Sequence, residues 1–186
     1  MTLLVRHAES EWNAHFGPFR IDPGIVDPSL TAEGLRQAEA VAATLEDAGI
    51  TGILTSPYRR ALQTTGILNA RLRVPVELEP LARERCAFSC DQGSHPETLA
   101  REWPHLDFSA LEPVWWGGLI ESLETFAVRC AAFRRRLAAR PDRHTLLVVT
   151  HWGFIRGLTG REVHNATSVR LEDAALFGTE SEGLRE

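Results

Sequence analysis

The chain has 186 residues, 44% of them hydrophobic, which is enough for one substantial core and predicts a single elaborated domain over residues 1–186. A formal net charge of −5 argues against general nucleic-acid binding, and no apolar run approaches the roughly 18 residues needed to cross a bilayer. All 20 members of the Lys+Arg total are arginine, a set that suits phosphate but that codon bias produces equally well.

The apolar run Leu3-Leu4-Val5 stops at Arg6-His7, which reads as a buried strand delivering two polar side chains to its carboxyl end. A short helix over 10–16 and a Pro-, Gly- and Asp-rich loop over 17–29 follow. Thr31 is the predicted N-cap of a helix to about Ala48, with Leu35, Ala38, Ala42 and Leu45 on one face and Gly49 ending it. Residues 52–55 form a short buried strand, and Ser56-Pro57 opens a helix carrying Arg59 and Arg60, with proline at its first position. Residues 74–78 form a strand that Pro75 assigns to a sheet edge.

Residues 80–118 are irregular and read as a lid insertion over the functional edge, with Trp115 and Trp116 forming the lid's own core. A long amphipathic helix over 121–140 ends before Pro141, and its cluster Arg134, Arg135, Arg136, Arg140 and Arg143 reads as a solvated cationic face. Residues 145–150 are a second strong strand, and it too runs into a histidine, His151. Residues 179–186 read as a loose tail. Strands alternating with helices predict an α/β fold, a three-layer α/β/α sandwich around a mainly parallel sheet.

Cys86, Cys90 and Cys130 leave one thiol unpaired in any disulfide scheme, which fits a reducing, cytoplasmic location. Cys86, Cys90 and His95 fall short of the four ligands in paired short spacings that a structural zinc site uses, so no metal and no cofactor are expected. In a parallel sheet the strand ends share one side, so His7, His151 and Arg60 converge. Arginines and one histidine around a second histidine would hold a phosphoryl group while the neutral imidazole of His7 attacks phosphorus. Glu84, in the loop after the third strand, is the candidate acid for the departing oxygen.

With these residues in place, the chain resembles the histidine phosphatase superfamily, the phosphoglycerate mutase-like proteins. Arg6-His7-Ala8-Glu9-Ser10-Glu11-Trp12-Asn13 is similar to the family's RHGES.WN, and Leu30-Thr31 through Gly34 and Gln37-Ala38 to its LT..G..QA. Ser56 to Thr65 resembles SPL.RA.QTA and selects Arg60 over Arg59; Leu81 to Glu84 resembles the L.E element; Val148 to Arg156 resembles VVTHGG.IR. The resemblance implies that His7 becomes phosphohistidine, that Arg6, Asn13, Arg60 and His151 bind phosphate, and that Glu84 donates the proton. It implies a metal-independent hydrolase of a small phosphorylated metabolite. The alternatives are phosphoglycerate mutase or bisphosphatase activity, a phosphoprotein phosphatase, or a non-catalytic phospho-ligand module. Arg85 and His95, beside the acid in the lid, are expected to contact substrate.

Three departures stand out. Ala8 replaces the family's glycine and is expected to keep an ordinary backbone conformation. Trp152 replaces the glycine after the second histidine, and either packs beneath the sheet end or narrows the pocket. Residues 85–93 do not read as the RHYG.L.G segment of the cofactor-dependent mutases, which disfavours mutase activity.

Overall fold

The computed structural model describes residues 1–173. Five strands, β1 (Thr2–Arg6), β2 (Gly52–Thr55), β3 (Val76–Leu78), β4 (Leu146–Thr150) and β5 (Ser168–Leu171), form one sheet in the order β3-β2-β4-β1-β5. Only the β1–β5 pairing is antiparallel. Six α-helices lie among the described residues: α1 (Glu11–Phe19), α2 (Ala32–Leu45), α3 (Arg59–Leu72), α4 (Pro96–Glu102), α5 (Leu123–Ala138) and α6 (Trp152–Thr159).

Alternation along the central strands builds the three layers. Leu4, Leu54, Leu146 and Val148 face Phe133 and Leu137 of α5 and Phe154, Ile155 and Leu158 of α6. Their neighbours Val5, Ile53, Leu147 and Val149 face Val41, Ala42 and Leu45 of α2 and Ala61 and Leu68 of α3. Burying each of the larger side chains stabilises the fold by roughly 1.5–3 kcal/mol, and the shared period of two sets the register. β3 is an edge strand, and Pro75 precedes it.

Several expectations are corrected. β5, whose Val169 and Leu171 are buried, is an edge strand absent from the sequence reading. α3 begins at Arg59 and not at Pro57, because its N-terminal amide at Arg59 is capped from a distance by Asp27 Oδ1 at 3.0 Å while Ser56 and Pro57 precede the helix. The long helix begins at Leu123, where the Ser122 side chain accepts from the Thr125 amide; Glu121 turns inward as an ion-pair partner. The lid contains α4, begun by His95 and Pro96. Trp115 lies in the lid core with Tyr58, Leu62, Leu99 and Phe108, as expected, and Trp116 packs edge-on against it at 5.7 Å. The arginine cluster is less solvated than expected: Arg134 donates to the carbonyls of Gly157 and Leu158 at the end of α6, and Arg140 pairs with Glu77 and Asp142. The predicted tail at 179–186 lies outside the described residues.

Candidate active site

β1 and β4 are adjacent and parallel with Arg6 paired to Thr150, so the next residue of each strand, His7 and His151, stand side by side. Their ring centroids are 5.1 Å apart. His7 Nδ1 lies 2.8 Å from the Ala8 carbonyl, an acceptor, so Nδ1 carries the proton and Nε2 keeps its lone pair. The Arg60 Nε–H points at that lone pair from 3.3 Å. Burial first, then the charges of Arg60 and Arg6, hold His7 well below the ordinary histidine range, so the ring is neutral at pH 7. Ala8 is absent from the residues with positive φ, and its amide donates to Thr64 Oγ1.

Arg60 enters from the first turn of α3 and is fully surrounded. Its Nη1 donates to the Cys90 carbonyl at 2.6 Å and its Nη2 to Asp91 Oδ1 at 3.3 Å. Burial alone would lower this guanidinium, but Cys90 and Asp91 outweigh it and keep the cation charged. Arg6 donates to the Val163 carbonyl at 2.9 Å, and its buried Nε has no partner among the described residues. Burial lowers Arg6 to about 10, still cationic at neutral pH. Asn13 Oδ1 accepts from the Ser10 amide at 3.1 Å, in the capping box of α1, and from Asn165 Nδ2 at 3.1 Å, which also donates to the His7 carbonyl.

Glu84 follows the 3-10 turn Pro80–Ala82 at the end of β3, a turn tied to the sheet by Thr150 Oγ1 donating to the Ala82 carbonyl at 2.6 Å. Its carboxyl accepts from the amides of Arg85 at 2.8 Å and Gly153 at 2.9 Å. Burial, then the nearby Asp91 carboxyl, raise Glu84 above the usual carboxylate range despite those two donors. A Cβ at Gly153 would stand 2.4 Å from Glu84 Oε1, so the acid approaches the start of α6 only over a glycine. Gly34 plays a similar part behind the site, where a Cβ would meet the Glu9 carbonyl at 2.0 Å.

A cavity of about 1030 Å³ opens over these groups, and Arg6, His7, Asn13, Arg60, Glu84 and Arg85 all line it. His151 is in contact with His7 but off the cavity wall: it is fully buried, its Nε2 lies 2.8 Å from Ser56 Oγ, and its Nδ1 has no partner among the described residues. His95 corrects an expectation. Its ring is exposed and accepts from the Glu97 amide at the start of α4, outside the cavity, because the lid turns away after residue 91. Trp152 lines the cavity, which answers the question its sequence position raised.

Sequence reasoning missed Asp91 and Asn165. Asp91 ends a 3-10 turn in the lid, where its Oδ2 accepts from the amides of Ala87 and Phe88 at 3.1 Å each. A buried arginine needs a counter-charge, but no periodic pattern says which lid acid supplies it. Asn165 arrives with the turn before β5, which the sequence reading did not contain.

The profile of the histidine phosphatase superfamily (branch 1) matches residues 2–177. The chain is 43% identical over 159 residues to the probable phosphoglycerate mutase GpmB of Proteus mirabilis, an alignment covering 80% of this chain and 67% of that protein. In fold it is similar to the alpha-ribazole phosphatase from Shigella flexneri, with a TM-score of 0.62 and 21% identity over 97% of this chain and 99% of that one. It is likewise similar to a mycobacterial glucosyl-3-phosphoglycerate phosphatase, with a TM-score of 0.62 and 22% identity over 90% and 88% of the two chains. An imidazole pair at the ends of two adjacent parallel strands and a profile match spanning nearly the whole chain lead to one assignment: the chain belongs to the histidine phosphatase superfamily, branch 1.

Proposed function

We propose that the chain hydrolyses phosphomonoesters of small metabolites through a phosphohistidine on His7, without a metal. The observation that carries this reading is the unprotonated Nε2 of His7 on the cavity wall, with the cations of Arg6 and Arg60 beside it. In the first half-reaction Nε2 attacks phosphorus, the ester P–O bond breaks, and the carboxylic acid of Glu84 protonates the departing alkoxide. The imidazolium so formed keeps its Nδ1–H on the Ala8 carbonyl. In the second half-reaction the Glu84 carboxylate takes a proton from water, the water oxygen attacks phosphorus, and the P–N bond breaks to release phosphate and neutral His7.

Arg6 and Arg60 stabilise charge on the phosphoryl oxygens, worth most where water is excluded. The NH2 of Asn13, on the cavity wall, is a further donor in this reading, and His151, buried behind the wall with its ring 5.1 Å from that of His7, holds the nucleophile in place and would reach the phosphoryl group only by a ring movement. Arg85, on the cavity wall, is a candidate for contact with the alcohol portion.

The acid role is tested by Glu84→Gln. The variant is expected to lose about 10²–10⁴-fold in kcat on alkyl phosphates and far less on 4-nitrophenyl phosphate, whose leaving group needs no proton. Equal losses on both would remove Glu84 from that role. Because Glu84 must be protonated in the first step, turnover of alkyl esters should fall as pH rises through its raised pKa. Gly153→Ala gives an independent check: it pushes the Glu84 carboxyl aside, so alkyl phosphate turnover should drop by about 10²-fold, again more than aryl phosphate turnover. A Gly153→Ala enzyme with wild-type kcat on alkyl phosphates would show that this close approach is dispensable.

A further inference from the structure

The phosphate pocket occupies only the floor of a cavity of about 1030 Å³, a size that accommodates a ligand much larger than a three-carbon acid. One side of its upper wall is aromatic and apolar, beside charged and polar groups that include Arg20, Arg85, Arg156, Glu162 and His164. Trp12 and Phe16 of α1 stack at 4.2 Å, and Phe88 of the lid closes on both, at 5.3 and 5.4 Å between ring centroids. Leu123 and Phe126 of α5 and Trp152 of α6 line the same cavity from another part of the chain.

This aromatic wall is held in place before any ligand arrives. The Trp12 indole donates to Asp22 Oδ1 at 2.9 Å, and the other oxygen of Asp22 accepts from the Ser89 amide at 2.8 Å, so one carboxylate ties α1 to the lid turn that carries Phe88. Burial pushes Asp22 up, but the hydrogen bonds from Ser89, Trp12 and Gly24 together outweigh it and hold the carboxylate down to about 2, so it is ionised at neutral pH. Yet the wall leaves hydrophobic surface uncovered beside a cationic pocket: Phe88 is 43% and Leu123 69% exposed. Apolar surface gathered at the rim of a polar site marks what the ligand covers. Arg20 and Arg156 lie over the rings of Phe16 and Trp152, so a flat ring entering here would meet aromatic faces and guanidinium groups together, and would cover the exposed apolar surface of Phe88 and Leu123 that a hydroxy acid or polyol would leave open.

We infer that the alcohol portion of the substrate carries a planar aromatic or heteroaromatic group. The substrate class is then the phosphomonoester of an aryl-bearing primary alcohol, a specificity that rests on the hydrolytic reading above. Burying a ring face of roughly 80 Å² corresponds to about 30-fold in binding.

The test compares 2-(2-naphthyl)ethyl phosphate with ethyl phosphate, two esters of primary alcohols whose leaving groups are alike, and with 3-phosphoglycerate and glucose 6-phosphate. The naphthylethyl ester is expected to show about 30-fold higher kcat/KM than the other three. Phe88→Ala should lower kcat/KM for the naphthylethyl ester about tenfold more than for ethyl phosphate. The matching phosphonates, which cannot be hydrolysed, are titrated against wild type by tryptophan fluorescence and should show the same ordering of Kd. Equal kcat/KM for the two esters, a preference for 3-phosphoglycerate or glucose 6-phosphate, or equal Kd for the two phosphonates would overturn the inference while leaving hydrolysis intact. Discrimination between the phosphonates with no turnover of any ester would sink the hydrolytic reading and support the aromatic class.

Discussion

His7→Ala is expected to lower phosphate release by at least ~10³-fold, because it removes the Nε2 lone pair that stands on the cavity wall beside the cations of Arg6 and Arg60. The assay is phosphate release in a buffer containing EDTA, in which the wild-type enzyme should keep its activity. Brief acid-free quenching with a labelled substrate should trap phosphate on the wild-type chain and none on the variant. The site also gives the sign of the pH dependence. His7 is held below its ordinary value by burial, Arg60 and Arg6, so the nucleophile stays neutral as pH falls through 6.5, and the acid limb of the profile lies below that point. Turnover by His7→Ala comparable to wild type, with the fold confirmed by an unchanged circular dichroism spectrum, would rule out the phosphohistidine route.

Arg129→Ala should produce the largest loss of stability, about 3–5 kcal/mol, or roughly 10 °C in Tm for a domain of this size. The Arg129 guanidinium is buried in α5 and donates to both oxygens of Glu121, at 2.8 and 2.5 Å. It also donates to the carbonyls of Leu81 at 2.7 Å, Arg83 at 2.8 Å and Glu84 at 3.3 Å. Removing it strands a buried carboxylate and frees the loop that presents the candidate acid, so catalysis should fall with stability. Arg83 still reaches Glu121 at 3.0 Å and limits the damage. The triple variant Arg83→Met, Arg129→Met, Glu121→Leu is expected to regain part of the lost stability, because it removes both cations together with the carboxylate they share. Thermal denaturation decides it: a single variant within 2 °C of wild type would mean that this ion pair contributes little.

The candidate site was legible in proportion to how local its determinants are. His7 and His151 each stand just past an apolar run, one residue beyond Arg6 and Thr150, and parallel strands share a carboxyl side, so their meeting is legible in the sequence. Arg60 could be placed as well, although the start of its helix could not, since Asp27 caps α3 across 32 positions. His95 lies outside the cavity because closeness in sequence to Glu84 does not survive the turn into α4. Glu121 was read as the first residue of a helix, when its charge is committed to Arg83 and Arg129 instead.

The amino-acid sequence by itself determined the alternation of strands and helices, the two strand-end histidines and the phosphoryl chemistry they imply. These follow from hydrophobic period and from residue types within a few positions of each other. Tertiary structure alone decided that Asp91 and Cys90 orient Arg60, that Gly153 admits Glu84, and that Phe16, Phe88 and Trp152 share one cavity. Those pairings join residues tens of positions apart through a lid with no repeating pattern. Side-chain contact across such distances is set by how the layers pack, which no local periodicity encodes.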